Sequence, residues 1–378
     1  MVAMAGIYIH IPFCKQACFY CNFHFSTVLS YKEKLVKAIA KELFLRKDFL
    51  AEQPIQSIYL GGGTPSLLNS NELDLILNTL YKEFDLSAVK EFTIEANPDD
   101  LDSDHLNYLK QTPINRLSIG IQSFNDADLK YMNRAHKASE AINCIKKAQD
   151  IGLSEISIDL IYGIPGMSLE KWQDNLATAF SLQIQHLSSY CLTIEPKTVF
   201  GNMAAKNTLV LSTEEESEKQ FLSLIEKAVQ AGFEQYEISN FAKNNAYALH
   251  NTQYWKGSPY LGVGPGAHSY RNNERSWNIS NNQQYMQSIE KSILPLESER
   301  LSKDNQYNEW VMTGLRTIWG LNLSEGTEKF GSDRIDYLQK QLQAYVDRKQ
   351  VYYLNNCFYI AEHARFLADG IAAAAFMV

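Results

Sequence analysis

Six cysteines in 378 residues are too few for a disulfide-built scaffold. No apolar run approaches the roughly 20 residues that cross a bilayer, and the alanine-rich end from Gly370 to Val378 is far too short. The N-terminus lacks the basic region followed by an apolar stretch that a secretion signal requires. Basic residues are outnumbered 35 to 43, leaving a formal charge of −8 and no broad electrostatic footprint for nucleic acid or an anionic membrane. These absences disfavour secreted, membrane-spanning and nucleic-acid-binding proteins, so a cytoplasmic protein without a transmembrane segment is expected.

What is present is a large core, with 45% apolar and 21% charged residues. The length suits one large domain and one small one. Up to about residue 242, short β-branched runs alternate with amphipathic stretches, the pattern of repeated strand-loop-helix units on a parallel sheet. Strands are expected at Gly6–Ile11, Ser57–Leu60, Glu91–Ala96, Arg116–Ile121, Glu155–Leu160, His186–Leu192 and Glu234–Ile238. A helix is expected over Tyr31–Phe49, capped by Ser30 with Glu33 completing a capping box, and another from Ser212 and Thr213. Six or seven such units point to a full or partial barrel. After the Asn-rich stretch around residues 272–282 the pattern changes to helices and a hairpin, a small module resembling a winged helix.

Three of the cysteines, Cys14, Cys18 and Cys21, fall within eight positions in one loop after the first strand. Three thiolates leave one iron of a [4Fe–4S] cube without a protein ligand, and an open iron can bind a small molecule. The alternative is a structural zinc site, with His10 or His24 as fourth ligand. The run Gly61-Gly62-Gly63-Thr64-Pro65 follows the second strand and lets backbone approach a ligand, but it lacks the Gly-Lys-Ser/Thr of a phosphate loop. Glu95, Gln122 and Asp159 stand at or near successive strand ends, with Arg134 between. A barrel places its ligand contacts there.

The C-x3-C-x2-C string in YIHIPFC-KQACFYC resembles the radical S-adenosylmethionine (SAM) superfamily. Together with GGGTP, IEANPD, GIQSF, NRAH and DLIYGIPG it resembles the coproporphyrinogen dehydrogenase (HemN-type) branch. The resemblance implies that the cysteines hold a [4Fe–4S] cluster whose open iron chelates SAM. It also implies that Tyr8 and Tyr20 lie beside cluster and SAM, that Gly62, Gly63 and Thr64 meet the methionine end, and that Glu95, Gln122, Arg134 and Asp159 contact the rest of SAM. Tyr190, Thr193 and Ala267 fall near further contacts of the family.

Two departures matter. Phe23 stands where the oxidase branch has a fourth cysteine, and the chain before the first strand is short. Both features resemble the sister branch, the HemW-type heme chaperones, as does an HNxxYW string at His250-Asn-Thr-Gln-Tyr254-Trp255. Imidazole is a common axial ligand of heme iron, and paired aromatic rings can cover a porphyrin face. The resemblance thus implies heme binding by His250, Tyr254 and Trp255, with Lys256, Arg271 and Arg275 near enough in sequence to meet propionates.

The expected architecture is α/β, a partial (β/α)6-type radical SAM barrel over 1–290, followed by a small C-terminal α+β winged-helix-like domain over 291–378. The expected function is that of a heme chaperone passing heme to acceptor hemoproteins. The rival is an oxygen-independent coproporphyrinogen III oxidase that decarboxylates propionates by radical chemistry. The reading leaves open a homodimer. Cys144, Cys191 and Cys357 read as small apolar residues.

Overall fold

The computed structural model describes residues 4–50 and 53–377. Six strands run parallel in chain order: β1 (Ala5–Ile11), β2 (Ile55–Gly62), β3 (Glu91–Ala96), β4 (Arg116–Gln122), β5 (Ile156–Tyr162) and β6 (His186–Cys191). Parallel neighbours need crossovers, and helices supply them. One set of alternate positions is apolar and fully buried, including Ile7, Ile9, Ile58, Leu60, Ile94, Ile119, Ile158 and Leu160. Side chains alternate along a strand, so the intervening positions share the other face. The register there matches Tyr8 with Tyr59, Ser57 with Glu91, Glu95 with Ser118 and Asp159 with Ser188. The barrel thus has a greasy outside under its helices and a polar lumen.

The sheet does not close on itself. On the free side of β1 come β9 (Tyr260–Val263), parallel to it, and then the antiparallel β10 (His268–Arg271), β11 (Glu274–Asn278) and β12 (Leu296–Arg300). On the free side of β6 come β8 (Asn240–Ala242) and β7 (Glu234–Glu237). The architecture is the expected partial barrel. The seventh expected strand departs from expectation: Glu234–Glu237 pairs antiparallel with β8, as the arm of a hairpin, and makes an isolated bridge from Glu237 to Thr317.

The first helix runs Lys32–Leu45 rather than Tyr31–Phe49, and Tyr31, not Ser30, occupies its cap position without a side-chain bond. The Glu33 carboxylate is drawn to Lys37 one turn on, at 2.6 Å, instead of back to the cap. The helix beginning after Thr213 carries the full capping box with Glu216.

A second core, around Tyr307, Val311, Leu338, Leu342 and Ile371, belongs to the C-terminal module. Its sheet has β15 (Cys357–Ile360) between β13 (Leu321–Asn322) and β14 (Val351–Leu354). Because β12 pairs with β11, the large sheet extends to Arg300. The module is bonded to the barrel through Ile318 N–H to Tyr236 O at 3.0 Å and Arg365 to Gln235 Oε1 at 2.6 Å. Among the described residues no helix is long and apolar enough to cross a membrane.

Candidate cofactor site and the adjoining cleft

Cys14, Cys18 and Cys21 lie half-buried in the loop after β1. The loop is tied down from several sides. Cys14 N–H donates to Ser26 O and Phe19 N–H to Met132 O, each at 3.1 Å, while the side chain of Asn133 donates to Ala17 O at 2.8 Å. Two polar groups donate to the sulfurs: Thr64 Oγ1 to Cys14 at 3.5 Å and Arg134 Nη1 to Cys18 at 3.3 Å. Burial pushes the Cys14 thiol up to about 11 and raises that of Cys21. The protein alone does not make thiolates of Cys14 and Cys21; bonding to iron would.

Among the described residues no three His, Cys, Asp or Glu side chains converge on one metal ion. His10 is committed through Nδ1 to Tyr8 Oη at 3.0 Å and through Nε2 to His24 O at 2.9 Å, and His24 Nε2 lies 2.7 Å from Asn282 Oδ1. Both nitrogens of His10 are thus already engaged within the protein. A cube takes one thiolate on each of three irons and needs no such convergence.

The loop after β2 must lie against the cysteine loop, and glycine permits it. A Cβ on Gly62, whose φ is +110°, would stand 2.4 Å from the His10 ring, and one on Gly63 would stand 2.6 Å from Phe13 O. Glu95 at the end of β3 accepts from Tyr59 Oη at 2.7 Å and Gly62 N–H at 3.0 Å. Burial lifts its carboxyl to about 7, with nearby Asp159 adding to the rise. Asp159 itself is lifted by burial to about 6. Arg134 spans the mouth, donating to Asn97 Oδ1 and Gly120 O, both at 2.6 Å, as well as to Cys18. Gln122 holds a left-handed φ of 69° at the end of β4. Tyr20 is half-buried beside Cys18 and Arg134, and desolvation raises its phenol. Thus Gly62, Gly63, Thr64, Glu95, Gln122, Arg134 and Asp159 gather at one end of β2 to β5, above the cysteines' loop. Tyr190 and Thr193 are largely exposed and Ala267 is buried, and none of the three bonds to this group.

Sequence reasoning missed two participants. Asn97, inside the IEANPD string, joins Thr64 Oγ1 at 3.1 Å to Arg134. Tyr59 connects the lumen's other end to Glu95, its ring stacked on His250 at 5.1 Å. Its place two residues before the glycine run was the available signal.

His250 plugs the far end of the lumen. It sits on the short helix Leu249–Trp255, whose first amides, Leu249 N–H and His250 N–H, donate to the Glu91 carboxylate at 2.6 and 3.0 Å. The ring is 2% exposed, and both nitrogens are engaged: Nδ1 lies 2.8 Å from Ser57 Oγ and Nε2 lies 2.9 Å from Tyr254 Oη. Ser57 spends its own proton on Gln253 Oε1 at 2.7 Å. With the Gln253 amide in this orientation the Nδ1 proton donates to Ser57, and Nε2 accepts from the Tyr254 hydroxyl. Burial lowers the imidazole to about 3, so it is neutral. This is the tautomer of a metal-binding histidine, with its back nitrogen fixed by a hydrogen bond.

Tyr254 and Trp255 face a cleft of about 1180 Å³ between barrel and C-terminal module, while His250 is not on its wall. Lys256 lines it, as does Arg275, which is held by Glu309 at 2.6 Å. Arg271, expected in the same role, is instead spent on the carbonyl and ring of Phe49.

Residues 8–179 match the model of the radical SAM superfamily. The chain is 33% identical to the heme chaperone HemW of Bacillus subtilis over 98% of its own length and 99% of that protein's. The chain belongs to the HemW family. HemW of Lactococcus lactis is 31% identical, with 96% and 97% of the two chains covered, and HemW of Escherichia coli is 35% identical over 70% and 69%. Among solved structures, coproporphyrinogen III oxidase (HemN) from Escherichia coli, at 23% identity, superposes with a TM-score of 0.87, covering 100% of this chain and 91% of that one, which shows a shared fold. Radical SAM membership implies a [4Fe–4S] cluster and SAM as cofactors of this HemW-family chain. The donor set fits both: three loop cysteines with donors aimed at two of the sulfurs, and the two carboxylates of Glu95 and Asp159 with bare glycine backbone near them.

Proposed function

We propose that this chain is a heme chaperone, which takes up heme and passes it to heme-requiring acceptor proteins. The observation that carries the reading is the end-to-end likeness to proteins named heme chaperone HemW, which runs through the C-terminal module as well as the barrel. The geometry supports it. His250 is a neutral imidazole in the tautomer that ligates iron, next to a cleft lined by Tyr254 and Trp255.

On this reading Cys14, Cys18 and Cys21 hold the cluster. Tyr8, Tyr20, Gly62, Gly63, Thr64, Glu95, Gln122, Arg134 and Asp159 surround SAM. Arg134 and Thr64 stabilise the thiolates by charge-assisted hydrogen bonds, and Glu95 and Asp159 offer acceptors to hydroxyl or amino groups. When bound, the two cofactors supply the radical chemistry of the superfamily. Heme is cargo, with His250 as the axial ligand once Tyr254 withdraws.

The rival reading, coproporphyrinogen III oxidation, shares all the cofactor residues. Phe23, 69% exposed where the oxidase branch resembled by the sequence has a cysteine, speaks against it. The test is an anaerobic assay of the reconstituted chain with coproporphyrinogen III, SAM and dithionite, beside a hemin titration. The chaperone reading expects saturable hemin binding and no decarboxylation. Robust decarboxylation with no hemin binding would overturn it.

A further inference from the structure

None of the residues expected to hold cluster or SAM lies in the C-terminal module, yet its helix Lys303–Leu315 and the turn carrying Trp319 form the far wall of the 1180 Å³ cleft. The near wall is the barrel's Tyr254, Trp255 and Tyr260. We propose that this cleft is the seat of the porphyrin and that the C-terminal module supplies its second face. The inference rests on the heme-chaperone reading and goes further by stating where the macrocycle lies and what the module is for.

Four observations bear on it. The volume exceeds the roughly 300–1,000 Å³ of ordinary small-molecule pockets, as a broad planar ligand requires. Aromatic rings stand on both walls, Trp255 and Tyr260 against Trp310 and Trp319, and such rings bury a large apolar surface against a flat partner. Charge is the third. Arg275 is committed to Glu309 and Glu299, and Lys329 to Glu325. Lys256, resting over the Trp319 ring at 4.5 Å, and Lys303, donating only to Lys329 O at 3.4 Å, have no carboxylate partner among the described residues. Two uncommitted cations thus face one opening beside one carboxylate unpaired among the described residues, Glu328, and heme carries two propionates. Fourth, no histidine lines the cleft, but His250 lies one ring behind its wall, with Nε2 covered by the Tyr254 hydroxyl at 2.9 Å. Tyr254 faces both His250 and the cleft, so its movement alone would present Nε2 to iron seated there.

The experiment uses the full chain and hemin, followed by absorbance, with substitutions at exposed positions that leave both cores intact. Met312→Trp fills the cleft from a position 41% exposed, and it is expected to weaken hemin binding by about tenfold or more. The double variant Lys256→Glu, Lys303→Glu is expected to weaken it several-fold at low salt, with the loss shrinking as salt screens the charges. Both should keep wild-type iron content and SAM binding. If the wild type binds hemin and both variants bind it equally well, the seat is elsewhere and the chaperone reading stands without it. If the wild type binds no hemin, the chaperone reading falls and the inference with it.

Discussion

The hydroxyl of Tyr254 lies 2.9 Å from Nε2 of His250, one helical turn earlier, and covers the only lone pair of a buried neutral imidazole. The two residues stand edge to face, with ring centroids 4.9 Å apart. On the proposed reading the HNxxYW string contains both a ligand and its cover.

Removing the cover alone should separate the two roles. Tyr254→Phe keeps the ring and deletes the hydroxyl, at a cost of about 1 kcal/mol in stability. Hemin is expected to associate faster with this variant than with the wild type in stopped-flow mixing. Association slowed to the level of His250→Ala would mean that the hydroxyl helps to bind heme rather than masking the ligand.

Glu91 positions the helix that carries His250. Its carboxylate accepts two amide protons at 2.6 and 3.0 Å, and Arg116 stands 4.0 Å away. Glu91→Ala leaves these donors unpaired in a buried place, and a loss on the order of 2–3 kcal/mol is expected in urea unfolding. Hemin affinity should fall as well, and Glu91→Gln, which keeps an acceptor, should recover part of both. Lost stability with wild-type hemin affinity in Glu91→Ala would contradict this positioning role.

SAM binding should tighten from pH 6 to pH 8. Burial raises Glu95 from 4.5 to about 7 and Asp159 from 3.8 to about 6, so the folded protein keeps protons that the unfolded chain has released. The sign for stability follows: the contribution of these groups is greatest at low pH and is lost as pH climbs through about 4 to 7. For a cationic ligand the sign is opposite, because the carboxylates attract it only once ionised. Equilibrium dialysis of SAM at the two pH values checks this, and Glu95→Gln should flatten the profile. A pH-independent affinity in the wild type would refute it.

Cys18→Ala should remove most iron and sulfide after anaerobic reconstitution. Hemin affinity should stay within about twofold, because distant sites contribute independently. Full iron content in the variant would exclude this cysteine from the cluster.

The barrel strands were legible because most carry alternating apolar residues that must be buried under helices, and the expected bounds of Glu91–Ala96 and the expected start at His186 agree with the structure. The cysteine loop was legible because its spacing is local. The edges were not: β8 to β11 are short, mixed in polarity and paired by tertiary context. Long-range partners were equally hidden. Glu91 meets the His250 helix across 158 residues, and Asn97 meets Arg134 across 37. Nor could spacing show that Arg271 turns to Phe49 while Lys303, from the other domain, joins Lys256 at the cleft.

The central claim is that this chain binds heme through His250. An anaerobic hemin titration of the wild type against His250→Ala, read from the Soret band, tests it most directly. The account predicts saturation of the wild type at one heme per chain and loss of the histidine-ligated spectrum in the variant, with iron–sulfur content unchanged. Identical spectra and affinities for the two proteins would contradict it.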